Sequence, residues 1–319
     1  MAEVYKNIKN KVCVTGASGF IGKKLCRHLQ EKNAIVKSLV RQSQPGPWDE
    51  QFVCDVKELN LNATHLKQFL KGTDTLFHLA GIAHTQSVSK EHYWETNVLA
   101  TQNLLSLAIS EGVQRFIYFS SVKAEESNDE YGRSKKAAEE IVLKLGKEHG
   151  IHVCILRPAL VYGPGVKGNL LNMMRGIDKG WFPPPPEIHN RRSMVSIDDV
   201  ILAAILVSEH PNANGKIYTI TDRKIYSTHS IYNAMRKALG LPKISWSIPY
   251  SAFRILAKLG DCVERILKYH SPINSAILNK FFGSAEYNSE LIGKELDWNP
   301  TTDFFTVLPE IVDAYKKIK

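Results

Sequence analysis

Cysteine is scarce and scattered. Cys13, Cys26, Cys54, Cys154 and Cys262 are odd in number, widely spaced and contain no C-x-x-C pair. That argues against a disulfide framework and a cysteine-ligated zinc, and it fits small buried apolar residues in a reducing compartment. Long apolar runs are also missing. The longest, 200–207, falls far short of the roughly 20 residues that cross a bilayer. Residues 1–11 are polar, so no signal peptide is expected and the cytoplasm is the expected location. Basic residues outnumber acidic ones, 41 to 32, for a net charge of +9, yet no run of five occurs. Such scatter fits solubility and small anionic ligands; without a basic stripe or a recognised module, no nucleic-acid partner is expected. His78, His84 and His92 are too far apart for a helix-borne metal pair and H-E-x-x-H is absent, so no metal is expected.

What is present begins almost at once. Val12-Cys13-Val14-Thr15-Gly16-Ala17-Ser18-Gly19-Phe20-Ile21-Gly22 reads as a buried strand, a glycine turn and the first turn of a helix whose Ile21, Leu25 and Leu29 share a face. The turn serves either tight strand–helix packing or a pyrophosphate held by helix N-terminal N–H groups; the flanking strand and helix favour the pyrophosphate. Further strands are expected at 34–40, 52–54, 75–80, 114–121 and 152–156, alternating with helices at 63–71, 92–111 and 130–149. That alternation predicts an α/β Rossmann fold, a doubly wound parallel sheet covered on both faces. After Pro158 the rhythm changes. Helical patterns at 197–209, 228–239, 251–269 and 272–280, with short strands near 216–221 and 244–247, predict a smaller, mostly helical C-terminal lobe. The expected division is 1–165 for dinucleotide binding and 166–319 for substrate, with segments returning to the first domain. The basic pattern at 251–269 suits either a packed surface helix or a membrane-surface helix; the packed form is taken, and no membrane partner is expected.

Chemistry concentrates at Tyr131-Gly132-Arg133-Ser134-Lys135. Positions four apart share a helix face, so Tyr131 and Lys135 point the same way. An ammonium beside a phenol lowers the phenol pKa from about 10 and makes a proton-transfer group for an alcohol or ketone. An exposed tyrosine with a solvated lysine would show the same spacing. Ser120-Ser121 closes the preceding strand, where ligands of open α/β sheets bind, and a hydroxyl there can hold a reacting oxygen.

Together these motifs resemble the extended short-chain dehydrogenase/reductases, over nearly the whole chain. T-G-x-x-G-x-x-G, Tyr-x-x-x-Lys and the upstream serine carry the likeness. His78-Leu79-Ala80-Gly81, Asn97 in Thr-Asn-Val-Leu-Ala-Thr, Arg157-Pro158-Ala159-Leu160-Val161-Tyr162-Gly163-Pro164 and Leu296-Asp297-Trp298-Asn299-Pro300 are similar to further signatures of that family. The resemblance implies catalytic roles for Ser121, Tyr131 and Lys135. It implies a nicotinamide dinucleotide on Gly16, Ser18, Gly19, Phe20, Ile21, Gly22, Arg41, Asp55, Val56, Leu79, Ala80, Gly81, Asn97, Tyr131, Lys135 and Pro158. Within the family the chain most resembles the UDP-glucose 4-epimerase-like branch. Asn190-Arg191-Arg192-Ser193 is similar to a diphosphate-clamping segment, with Arg192 favoured over Arg191, and Asn169 resembles a substrate-binding asparagine. Two exposed arginines before a helix would read alike.

Two departures bear on substrate. The loop between Ser121 and Tyr131 is short, and a second, C-terminal diphosphate arginine has no clear counterpart. On the cofactor side, the second strand ends in Arg41 rather than an acid. An arginine there accepts a ribose 2′-phosphate and favours NADP(H), with NAD(H) the alternative and a solvated loop arginine the ordinary reading. The function implied is hydride transfer at C4 of a UDP-sugar by a UDP-hexose or UDP-N-acetylhexosamine 4-epimerase. The alternative is an NADPH-dependent UDP-4-keto-6-deoxy-hexosamine 4-reductase, and a different class is a non-catalytic NADP-binding regulator. A homodimer through helices 92–111 and 130–149 is implied by the same resemblance.

Overall fold

The computed structural model describes residues 11–59, 63–83, 89–267 and 274–317; His84 and nearly all of the polar 1–11 stretch lie outside them. In chain order the described helices and strands are β1 (Lys11–Thr15), α1 (Phe20–Glu31), β2 (Ile35–Val40), β3 (Glu50–Val53), α2 (Ala63–Leu70) and β4 (Thr75–His78). The long helical pattern that follows is broken into α3 (Lys90–Tyr93), a π-helical turn (Trp94–Leu99) and α4 (Ala100–Ser110). Then come β5 (Arg115–Phe119), a short α5 (Lys123–Glu126), α6 (Glu130–His149), β6 (His152–Pro158) and β7 (Leu160–Tyr162). The remainder is α7 (Asn169–Asp178), β8 (Arg192–Ser196), α8 (Ile197–Glu209), β9 (Lys216–Ile220), β10 (Ile225–Tyr226), α9 (Thr228–Ala238), α10 (Tyr250–Leu267), α11 (Ser275–Phe282), α12 (Glu290–Leu296) and α13 (Phe304–Lys316).

Two compact units emerge. The first comprises 1–159, 197–220 and 288–299, so α8, β9 and α12 return to it. Its sheet has seven strands in the order β3-β2-β1-β4-β5-β6-β9, every neighbour parallel. This is the doubly wound order, extended by one strand, and it reverses between β1 and β4. Strands buried on both faces need continuous apolar runs, and β1, β4 and β5 are almost wholly buried. The helices cover them with one-sided stripes, such as Leu25, Cys26 and Leu29 on α1. α6 is bounded by its own sequence: Asp129 Oδ1 accepts the Gly132 N–H at 2.7 Å, and Gly150 ends it in the left-handed region at φ +67°.

The second unit comprises 160–196, 221–287 and 300–319. Its three-stranded sheet runs β10-β8-β7, with β7 and β8 parallel and β10 antiparallel. The strand expected at 244–247 does not form. The segment between Pro242 and Pro249 has no ladder partner, and Trp246 is 61% exposed. Of the cysteines, Cys13, Cys26, Cys54 and Cys154 are buried free thiols, and Cys262 on α10 is exposed.

Candidate active site

The C-terminal ends of β1, β4, β5 and β6 lie along one edge of the parallel sheet, and Gly16, Leu79, Ala80, Gly81, Ser120 and Ser121 follow closely on three of those ends. After β1, Gly16 adopts φ +69°. A Cβ there would meet the Ala80 N at 2.8 Å and the Leu79 carbonyl carbon at 2.9 Å, so only glycine lets this turn close on the end of β4. A Cβ on Gly22 would collide with the Gly16 carbonyl, which seats α1 against the turn. α1 starts at Gly19 without a side-chain cap and without an acid in its first turn. Its N-terminal N–H groups therefore suit an anion. Ser18 is exposed beside them, and Phe20 and Ile21 are half-buried.

Arg41 follows β2 on the surface. Asp55 caps a 3-10 turn, its Oδ1 accepting the Lys57 N–H at 3.0 Å, and Val56 behind it is buried.

The loop after β4 is held by Asn97, from the π turn. Its Oδ1 accepts the Ile82 N–H at 2.9 Å, and its Nδ2 donates to Ile82 O at 3.3 Å and to Ser134 Oγ at 3.0 Å. A π turn shifts the backbone bonding to i→i+5 and widens the helix. Here the Asn97 carbonyl accepts from Thr101 Oγ1 at 2.8 Å. That bond orients a chain through the core. Thr101 Oγ1 has used its proton, so His78 Nε2 donates to it at 2.9 Å. His78 Nδ1 then accepts from Thr15 Oγ1 at 2.7 Å, and Thr15 Oγ1 accepts the Ala80 N–H at 3.1 Å. Burial pushes the His78 imidazole down to about 3, so it stays neutral. His78 thus supports the site from behind.

Two adjacent serines at the end of β5 part company. Ser121 hydrogen-bonds Tyr131 and accepts the Lys123 N–H at 3.2 Å. Ser120 turns inward and donates to Glu139 Oε1 at 2.5 Å. The short connection between Ser121 and Tyr131 is taken up by α5, which packs on α6 so closely that a Cβ on Gly132 would strike the Lys123 carbonyl. The Tyr131 ring lies 5.9 Å from that of Tyr93.

Lys135 is buried. Nζ donates to Phe119 O at 2.7 Å and to the Tyr118 hydroxyl at 3.1 Å, and it lies 4.6 Å from the centre of the Tyr118 ring. Burial pulls Lys135 down to about 8, with Glu139 opposing. Burial raises Tyr131 to about 12, only partly offset by Ser121. Burial thus opposes the lowering of the phenol expected from the Tyr–Lys spacing. Shared helix face brings the pair together, yet a carbonyl and a second phenol claim the ammonium. The site of an added Cβ on Gly81 lies 3.7 Å from Lys135 Nζ and 2.9 Å from Asn97 Oδ1, so Gly81 borders both groups.

Glu139 was not singled out from sequence, although it continues the Tyr131–Lys135 face by one turn. It is wholly buried and takes Arg157 in a bidentate pair, Nε to Oε1 at 2.8 Å and Nη2 to Oε2 at 2.6 Å. Ser120 shares Oε1, so one carboxylate joins α6 to the ends of β5 and β6, beside the buried Pro158.

The second unit carries the other predicted residues. Asn169 opens α7 and is exposed. Arg191 is exposed and paired through both carboxylate oxygens with Glu286. Arg192 is half-buried; its Nη1 donates to Phe281 O at 3.3 Å and to Gly283 O at 3.2 Å, and burial lowers its pKa.

A family model described as the NAD dependent epimerase/dehydratase family matches residues 12–221, and the chain belongs to that family. A UDP-glucose 4-epimerase of Vibrio cholerae is 32% identical over 286 residues, covering 82% of this chain and 86% of that protein. A UDP-2-acetamido-2,6-beta-L-arabino-hexul-4-ose reductase of Pseudomonas aeruginosa is 32% identical over 217 residues, 64% of this chain and 51% of that protein. Among solved structures, MoeE5 in complex with UDP-glucose and NAD has a similar fold, with a TM-score of 0.73 at 22% identity over 97% of this chain and 99% of that one.

Proposed function

We propose that the chain moves a hydride at C4 of a UDP-linked hexose or N-acetylhexosamine, as a nicotinamide-dependent 4-epimerase. The observation that carries this reading is the hydrogen-bonded Ser121–Tyr131 pair next to the buried Lys135 at the ligand edge of the sheet. The uncapped, acid-free N-terminus of α1 and the glycines around it fit a dinucleotide pyrophosphate. Gly16, Ser18, Gly19, Phe20, Ile21 and Gly22 would hold that end, Arg41, Asp55 and Val56 the adenosine, and Leu79, Ala80, Gly81, Asn97, Lys135 and Pro158 the nicotinamide side. When bound, the cofactor supplies reversible hydride acceptance.

The chain's own groups handle the proton. Tyr131 Oη exchanges it with the C4 oxygen, and Ser121 Oγ holds that same oxygen. A phenol near 12 is a proton donor at neutral pH, which suits protonation of a 4-keto oxygen. In the oxidising half the ionised phenol takes the C4 hydroxyl proton as the hydride leaves C4 for the cofactor, and the Lys135 ammonium one helical turn away favours that ionised form; in the reducing half the phenol returns the proton. For the diphosphate, Arg192 is preferred over Arg191, whose guanidinium is committed to a bidentate carboxylate pair. Asn169 completes the set.

The test incubates the protein with UDP-hexoses and UDP-N-acetylhexosamines, reading sugar products together with reduced-nicotinamide absorbance. Epimer formation without net absorbance change is expected. Tyr131→Phe is expected to lower turnover by about 10²–10⁴-fold, with dinucleotide binding intact. Retained turnover would overturn the assignment.

A second reading rests on Arg41. The end of β2 presents an exposed arginine and no acid, which favours a 2′-phosphate. With it goes a 4-keto-sugar reductase, marked by stoichiometric NADPH consumption with a UDP-4-keto-6-deoxy-hexosamine. A homodimer through α4 and α6 belongs to either reading, and sedimentation measures it.

A further inference from the structure

Large apolar side chains exposed among the described residues are concentrated in one stretch of the second unit: Trp246, Tyr250, Ile255, Leu256, Leu259 and Val263. The sequence pattern at 251–269 suits a packed surface helix, and one side of α10 is packed. Phe253 and Ala257 are buried against Leu278 and Phe282 of α11. The opposite side is apolar as well. Ile255 is 61% and Leu259 59% exposed. Ile255, Leu259 and Cys262 fall at i, i+4 and i+7, with Leu256 and Val263 beside them, so they form one continuous band.

Charge on this helix is sorted. Both carboxylates turn towards the start of α11: Asp261 accepts from Ser275 N at 3.0 Å and Ser275 Oγ at 2.5 Å, and Glu264 accepts from Asn274 Nδ2 at 3.0 Å. The cations Arg254, Lys258 and Arg265 are exposed, at i, i+4 and i+11, in a strip along one border of the apolar band. The outward surface therefore combines apolar side chains, a neighbouring tryptophan and positive charge, with Asp261 bordering the strip at Arg265 while bonded to Ser275. An antiparallel pair of such helices would set strip against strip, and the α10 acids Asp261 and Glu264 are already engaged by Ser275 and Asn274. An anionic bilayer supplies both complements, acyl chains for the band and phosphate headgroups for the strip. No described helix is long and apolar enough to cross a membrane, so the contact is one of lying on the surface.

We propose that α10 is an interfacial helix that docks the protein on an anionic phospholipid surface, with Ile255, Leu256, Leu259 and Val263 entering the acyl boundary, Trp246 at headgroup level and Arg254, Lys258 and Arg265 on the phosphates. The proposal stands independently of the sugar substrate and of the catalytic residues.

Flotation of the full chain with phosphatidylcholine vesicles, with and without phosphatidylglycerol, tests it. Binding is expected only with phosphatidylglycerol, together with a blue shift of tryptophan emission that Trp246→Phe abolishes. Lys258→Ala is expected to weaken binding about fivefold, the share of one cation near an anionic surface, and added salt to weaken it further. Ile255→Ser with Leu259→Ser is expected to cost at least tenfold, since it removes two buried aliphatic side chains from the contact. These positions lie outside the site described above, so turnover of soluble substrate should stay unchanged and report an intact fold. The proposal is overturned if the protein fails to float with anionic vesicles. It is equally overturned if the double serine variant floats as well as the parent, or if neutral vesicles bind as well as anionic ones. A protein that is dimeric in solution, becomes monomeric on the serine substitutions and ignores vesicles would assign the band to a second copy instead.

Discussion

Replacing Glu139 by Gln should cost stability out of proportion to a one-atom change. The Glu139 carboxylate has no exposed surface, and its oxygens receive Arg157 Nε, Arg157 Nη2 and Ser120 Oγ. The Arg157 side chain is 11% exposed. Hydrogen bonds to charged groups contribute about 1.5–3 kcal/mol each. Glutamine offers a single carbonyl oxygen and turns an NH2 towards the guanidinium, so at least one charge-assisted bond is lost and donor faces donor. The arginine is then left largely buried with Glu125, at 3.9 Å, as its remaining ionic neighbour among the described residues. Removing one partner of a buried pair typically costs about 3–5 kcal/mol, because the remaining charge is stranded. For a chain of this size that is a fall in melting temperature of about 10 °C.

The assay is urea or thermal unfolding of Glu139→Gln, of Arg157→Met and of the double variant Glu139→Met with Arg157→Met. The double variant should lose less than the sum of single losses, since an apolar pair strands no charge. A second readout separates this from generic core damage. Glu139 opposes the lowering of Lys135 from its usual range. Without that charge the Lys135 pKa should fall below about 8, moving the alkaline limb of the pH–rate profile to lower pH. Loss of less than about 1 kcal/mol in Glu139→Gln, well under the usual range for a broken buried pair, or strict additivity in the double variant, would refute the reasoning.

Two further outcomes follow from neighbouring residues. Gly22→Ala places a methyl on the Gly16 carbonyl; as overpacking it should cost about 1–3 kcal/mol, and dinucleotide binding followed by titration calorimetry should weaken at least tenfold. His78 binds its proton only near pH 3 in the folded chain, against about 6.5 when unfolded. Between those values the unfolded state holds the extra proton, so stability is lost as pH falls from about 6.5 towards 3, by an amount of several kcal/mol. Urea midpoints measured from neutral to acid pH should therefore slope less in His78→Gln than in the parent, and equal slopes would sink the point.

Periodicity carried most of the first unit. α6 starts and stops at residues whose side chains and φ angles demand it, Asp129 and Gly150, and the alternation of apolar strands with one-sided helices dictates a parallel sheet. What sequence did not disclose is a set of partners distant along the chain. The helical pattern through 92–111 reads as uninterrupted because a π turn leaves no residue signature; it is held by Asn97 bonds to Ile82 and Ser134. Ser120 and Ser121 are told apart in the sequence by the resemblance alone; in the structure, alternation past β5 sends one to Glu139 and the other to Tyr131. Glu139 looks like a surface acid beside Glu140, and only its spacing of four from Lys135 hints otherwise. Arg192 stands beside Arg191 in the sequence, yet it is anchored to carbonyls about ninety residues further on.

These partners also shape the electrostatics around Tyr131. Tyr131, Lys135 and Glu139 sit on one face of one rigid helix, so whatever fixes α6 against the sheet fixes all three at once. Ser120 and Arg157 do the fixing, and Phe119 O and the Tyr118 hydroxyl take up the ammonium. The charge of Lys135 is therefore set by burial and Glu139 before any ligand arrives, and the phenol is left high. A substitution that loosens the Glu139 clamp must then alter stability and the pH profile together. A substitution at a solvent-facing α6 position such as Lys144, which is 72% exposed at its side chain, should move neither.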